Sequence, residues 1–182
     1  MIYDSVWWKR DLLSIKKGYG SRSKNRRWTD KRLATLEKDI FIGFYIIRKL
    51  IEAKKLSDDV ENFSIQVKSY PLLPGKSVDR RSKRRWDTLF DLTSPASKNV
   101  KLAFVCNQVI HSYIYTPIFE SGMPVSFVFC SDWERNRNLF EMNFDVFLST
   151  LEKVGKDHPN EMSITYDQAK KDYVITQRMR PL

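Results

Sequence analysis

Asn107 and His111 are the side chains in this sequence whose types and spacing best suit chemistry. A carboxamide can hold a phosphate or a sugar hydroxyl by hydrogen bonds, and an imidazole can take and give a proton near neutral pH. The two are four residues apart, so on a helix they lie one above the other. They sit within residues 98–116, where a polar cluster interrupts a long apolar run. That run is long for a strand and has no internal Gly or Pro, which predicts a helix over 98–116 stopped by Pro117. Leu102, Ala103, Cys106, Val109, Ile110, Tyr113 and Ile114 would share its apolar face. Lys101, Phe104, Asn107, Gln108, His111, Ser112 and Tyr115 would share the other. The plainer role for Asn107 and His111 is structural, as a pair satisfying buried backbone groups.

A second candidate is the basic run Arg80, Arg81, Lys83, Arg84 and Arg85, which ends at Trp86. Guanidinium groups beside an aromatic ring can grip phosphates and stack on a base. A solvated charged loop is the alternative. Other chemistries lack their residues. There is no Gly-rich phosphate loop ending in Lys-Ser/Thr, no Gly-x-Ser-x-Gly turn and no His-Glu-x-x-His. Two histidines and two cysteines, none at ligand spacing, argue against structural zinc, so neither metal nor cofactor is expected. Cys106 and His111, five apart on a helix, diverge by about 140° and make a poor nucleophile pair.

The elements that must position these groups follow from pattern. Residues 3–18 suit a short amphipathic helix, and 16–27 a flexible basic loop. Thr29 or Asp30 can cap a long helix over 33–56, with Leu33, Leu36, Ile40, Phe44, Ile47 and Ile51 on one face. Residues 63–70 alternate as a strand, and 86–92 suit a short helix. Strands at 125–130 and 138–142 would pair across the polar turn 131–137. A helix over 144–154 would stop at Gly155, and 162–166 with 173–176 would form a closing hairpin. The expected fold is α+β in a single domain, 1–182, with a helical core on 33–56 and 98–116 and small antiparallel sheet elements in the second half.

The formal net charge of +10 favours an acidic partner such as nucleic acid, although a solvated basic surface also fits. Two thiols expected to be free and buried, no apolar leader-like start and no membrane-length run make the cytoplasm the expected location.

Several stretches together resemble a group of small bacterial proteins with an HEPN-like helical core. They are Trp7-Trp8-Lys9-Arg10-Asp11, Asp39-Ile40-Phe41-Ile42-Gly43-Phe44-Tyr45, Arg48-Lys49-Leu50-Ile51-Glu52-Ala53-Lys54, Cys106-Asn107-Gln108-Val109-Ile110-His111-Ser112-Tyr113 and Ser131-Asp132-Trp133. The resemblance implies a helical core and helices that pair into a homodimer. In active HEPN nucleases an Arg, often followed by a polar residue, precedes a His by a short interval and holds the scissile phosphate. The His then moves a proton at the ribose hydroxyl. Asn107 and His111 match the polar residue and the His, but Cys106 stands at the Arg position, and the longer spacings fall on Val105 and Phe104. A neutral thiol does not replace a guanidinium fork. Arg48 or Arg85 would have to supply that cation in space. The reading is a cytoplasmic HEPN-like protein that binds RNA or another polyanion, in a bacterial defence or toxin–antitoxin setting. The alternatives are a metal-independent RNase using His111, and a non-enzymatic subunit that docks a partner protein or second copy on Trp7, Trp8, Phe41 and Tyr45.

Overall fold

Phe127, Val128, Phe129 and Cys130 are all buried in one strand, which means that strand is covered on both faces. The computed structural model containing it describes residues 2–23, 28–169 and 171–179. Its strands in chain order are β1 (Ser64–Pro71), β2 (Ala96–Lys101), β3 (Ser112–Glu120), β4 (Met123–Ser131) and β5 (Asn138–Asn143). They form a five-stranded sheet in the order β2-β1-β5-β4-β3, with every neighbouring pair antiparallel.

Helices α1 (Ser5–Ser23), α2 (Asp30–Glu52), α4 (Leu102–Ile110) and α5 (Phe144–Gly155) share the larger core with the sheet. Ile65, Val67, Phe127, Phe129, Phe140 and Met142 point from the strands into that core. The intervening residues Tyr70, Ile114, Val128, Cys130 and Leu139 form a smaller core on the far face, closed by Val78, Leu89 and Phe90 from the segment between β1 and β2. That segment contains a 3-10 stretch, Ser82–Thr88. The short helix α3 (Asp58–Glu61) precedes β1 and packs beside a separate two-stranded hairpin of β6 (Glu161–Asp167) and β7 (Asp172–Arg178).

The expected helical core with minor sheet elements is therefore wrong: the molecule is α+β, but its centre is the antiparallel sheet. The error lies in 98–116. Residues 98–101 belong to β2, a polar edge strand with no apolar period to reveal it, paired along 64–69 of β1. The helix is only Leu102–Ile110. Its Leu102, Val105, Cys106 and Val109 are fully buried at helical spacing. Ser112 then starts β3, where Tyr113, Ile114, Tyr115 and Thr116 suit a strand by their branched and aromatic side chains. Pro117 does not stop a helix. It sits opposite Phe127 in β3, an edge strand, where a missing ladder donor is tolerated. Ser121 and Gly122, both at positive φ, close the tight turn into β4.

Elsewhere the boundaries move. Helix α1 continues through Gly18 to Ser23 where a loop was expected, and the remaining loop residues 24–27 lie outside the described residues. Thr29 is the cap of α2, its hydroxyl accepting from the Arg32 amide at 3.4 Å.

Candidate functional site

The buried side of α4 faces the sheet, which turns Asn107 outward. His111 caps the C-terminus of α4, its backbone N–H donating to the Asn107 carbonyl at 3.1 Å, and its side chain is exposed. Gln108, buried one residue after Asn107, accepts from the backbone N–H of Ser131 at 2.9 Å. That bond fixes the end of α4 against the end of β4. Between them opens a cleft of about 740 Å³, within the size range of small-ligand pockets. Arg48 of α2, Asn107, His111, Ser131, Asp132 and Trp133 line it.

The chemistry of the cleft is mixed. Arg48 supplies a cation, braced by Glu52 one turn on at 2.6 Å. Trp133 is 89% exposed, a bare ring in the turn after β4. The Ser131 hydroxyl is buried beneath the cleft and has no hydrogen-bond partner among the described residues. Burial pushes the Cys106 thiol up to about 12, against the pull of Arg48, so it stays neutral. Burial likewise carries Cys130 to about 12.

A bulge joins the cleft to the basic run. The β3–β4 register shifts between Ser112 and Ile114, so Tyr113 and Ile114 both pack with the far-face core. Lys83 lies 4.9 Å from the Tyr113 ring centre and Arg135 lies 4.5 Å from it. Arg135 also pairs with Asp132 of the cleft at 3.2 Å. Contacts thus run from Asp132 through Arg135 and Tyr113 to Lys83. Arg80, Arg81, Arg84 and Arg85 are exposed along the same segment, whereas Trp86 is half-buried against the far-face core and anchors it.

The structure therefore brings Asn107 and His111 together with Arg48, which the sequence offered as a distant cation, and sets Lys83 beside the neighbouring Tyr113. Arg85 is not among the residues lining the cleft. Sequence reasoning missed Gln108 and Ser131 as its floor and Trp133 as its open ring. An aromatic residue in the otherwise polar turn 131–137 was the available signal. Of the proposed docking aromatics, Trp7 and Tyr45 are exposed, while Trp8 and Phe41 pack against the main core.

A second polar group, on the far face of the sheet, is occupied by its own bonds. Glu141 accepts from Ser126 at 2.6 Å and from the Tyr70 hydroxyl, with the Lys68 ammonium at 3.5 Å. Burial pushes its carboxyl up, but the Ser126 and Tyr70 bonds and Lys68 outweigh it and hold Glu141 below its ordinary value. Among the described residues no group of three or more His, Cys, Asp or Glu could hold a metal ion, and no helix is long and apolar enough to cross a membrane. Comparison with protein-family models, with curated proteins and with solved structures gives no match.

Proposed function

We propose that this chain binds single-stranded RNA, or a polyanion of similar make, in the cleft at the end of α4. The observation that carries this reading is Trp133, 89% exposed in the same cleft as Arg48, Asn107 and His111. An open indole stacks on an unpaired base, a contact worth about 1–3 kcal/mol per base. Arg48 would meet the adjoining phosphate, and the exposed Asn107 carboxamide would bond to sugar or base edges. The exposed Arg80, Arg81, Arg84 and Arg85 extend positive charge beyond the cleft. The net charge of +10 supports encounter with a polyanion.

The test is anisotropy of a labelled single-stranded RNA oligonucleotide, titrated at several salt concentrations. Binding should weaken steadily with salt, and Trp133→Ala should weaken it by about tenfold. Replacing Arg80, Arg81, Arg84 and Arg85 together by Gln should lower the salt slope. Absence of binding at about 50 mM salt, or binding indifferent to Trp133→Ala, contradicts the reading. The presence of His111 and Arg48 in one cleft favours a second reading, RNA cleavage with His111 moving the proton and Arg48 holding the phosphate. In that case the oligonucleotide is cut in the presence of a chelator, and His111→Ala stops cutting while leaving binding in place.

A further inference from the structure

Among the described residues lining the cleft, Asp132 is the only acid. A carboxylate is out of place in a site that meets phosphate alone, because like charges repel. Arg135 offsets the charge from 3.2 Å, yet among the described residues nothing donates a hydrogen bond to either carboxylate oxygen. The Asp132 side chain is 66% exposed and directly precedes the open indole of Trp133. An ionised carboxylate only accepts hydrogen bonds, so the ligand group it suits is a donor.

A single strand offers two kinds of donor, the amines of its bases and the 2′-hydroxyls of its sugars. Uracil has no amine, whereas every ribose carries the hydroxyl. Stacking on Trp133 tolerates any base, and the Asn107 carboxamide, with both donor and acceptor, already suits a base edge. The carboxylate adds a reading of the sugar. We propose that Asp132 accepts a hydrogen bond from the ribose 2′-hydroxyl of a nucleotide held in the cleft, and so makes the site choose RNA over DNA. A hydroxyl on an ionised carboxylate forms a short, charge-assisted bond, about twice as strong as a neutral one. Deoxyribose offers no donor and leaves the carboxylate beside a polyanion with nothing to offset its charge but Arg135, so DNA is penalised as well as unrewarded. This choice of sugar rests on the RNA reading of the cleft and names the residue that sets its specificity.

The experiment compares labelled single strands of one uracil-containing sequence in ribose, deoxyribose and 2′-O-methyl form, by anisotropy at about 0.1 M salt. The ribose strand should bind about tenfold tighter than the other two. Asp132→Ala should lower ribose affinity to the deoxyribose level, and should leave the deoxyribose strand bound as well or better, since a negative charge has gone. Asp132→Asn keeps an acceptor oxygen and should retain part of the preference. Arg135→Gln breaks the ion pair but keeps the carboxylate, and should preserve the ratio of the two affinities. Failure of all three strands to bind removes the RNA reading and the choice of sugar with it. Equal binding of ribose and deoxyribose strands by the wild type overturns the role of Asp132 alone. So does a preference that survives Asp132→Ala, or one that falls as far in Arg135→Gln. An Asp132-dependent preference among bases, in strands of one sugar, also overturns it, because it places the carboxylate at a base amine.

Discussion

Lys9 shows 1% of its surface where three helices meet. It leaves α1 and donates through Nζ to the backbone carbonyls of Lys55, just past α2, and Asp157, just past α5. Helix C-termini gather unpaired carbonyl oxygens and negative dipole, so one ammonium serves two ends at once. Burial draws its pKa below the ordinary 10.5, while the Asp157 charge opposes that shift and Lys55 adds to it. Asp157 in turn accepts from the backbone and hydroxyl of Ser57, both at 2.7 Å. Lys9→Met keeps the apolar stem but leaves two buried carbonyls without their donor. It should lower unfolding free energy by about 3 kcal/mol in urea titration, and a loss below about 1 kcal/mol would refute the clamp. Nothing in the sequence around Lys9 foretells this, because lysine is among the residues least often buried and its partners are backbone atoms far along the chain. Asn107 and His111 were legible as a pair for the opposite reason: their nearness to each other is set by local spacing at the end of α4, whereas Trp133 reaches the same cleft from far along the chain.

At the scale of elements, legibility followed the strength of the period. The strands β4 and β5, the helix α5 and the hairpin β6–β7 fall close to where alternation and helical spacing put them. The stretch 98–116 did not, because an apolar run can change from a 3.6 to a 2.0 repeat without losing apolarity. The change falls at His111 and is marked only by a capping geometry that no composition records. Gly155 gives a second case. It is the last residue of α5, and it does not adopt the left-handed conformation of a glycine stop. Its function is space: a Cβ there would lie 2.8 Å from Leu13 side-chain atoms and 3.2 Å from the Lys9 carbonyl oxygen. The missing side chain lets α1 lie close on α5, where Lys16 also pairs with Glu152. Gly155→Ala should therefore destabilise the fold by about 1–3 kcal/mol through overpacking, despite alanine's better helix propensity. A rise in melting temperature for that variant would show that the helices have room to part.

For the whole molecule, the sheet is what makes the cleft. Helix α4 and strand β4 end, and strand β3 begins, at one corner of the sheet, and Tyr113 at the bulge meets Lys83 of the basic segment beside it. The charge excess was plain in the composition, but its meeting with an open indole depends on strand order, which β2 and β3 concealed as helix. The reading of RNA binding rests on that convergence of Arg48, His111 and Trp133. Photocrosslinking tests it most directly, with a single-stranded RNA carrying a photoactivatable base and the joined peptide mapped by mass spectrometry. The account predicts crosslinks in residues 131–137, lost in Trp133→Ala. Crosslinks confined to α1 or to the β6–β7 hairpin, with residues 131–137 untouched, would contradict it.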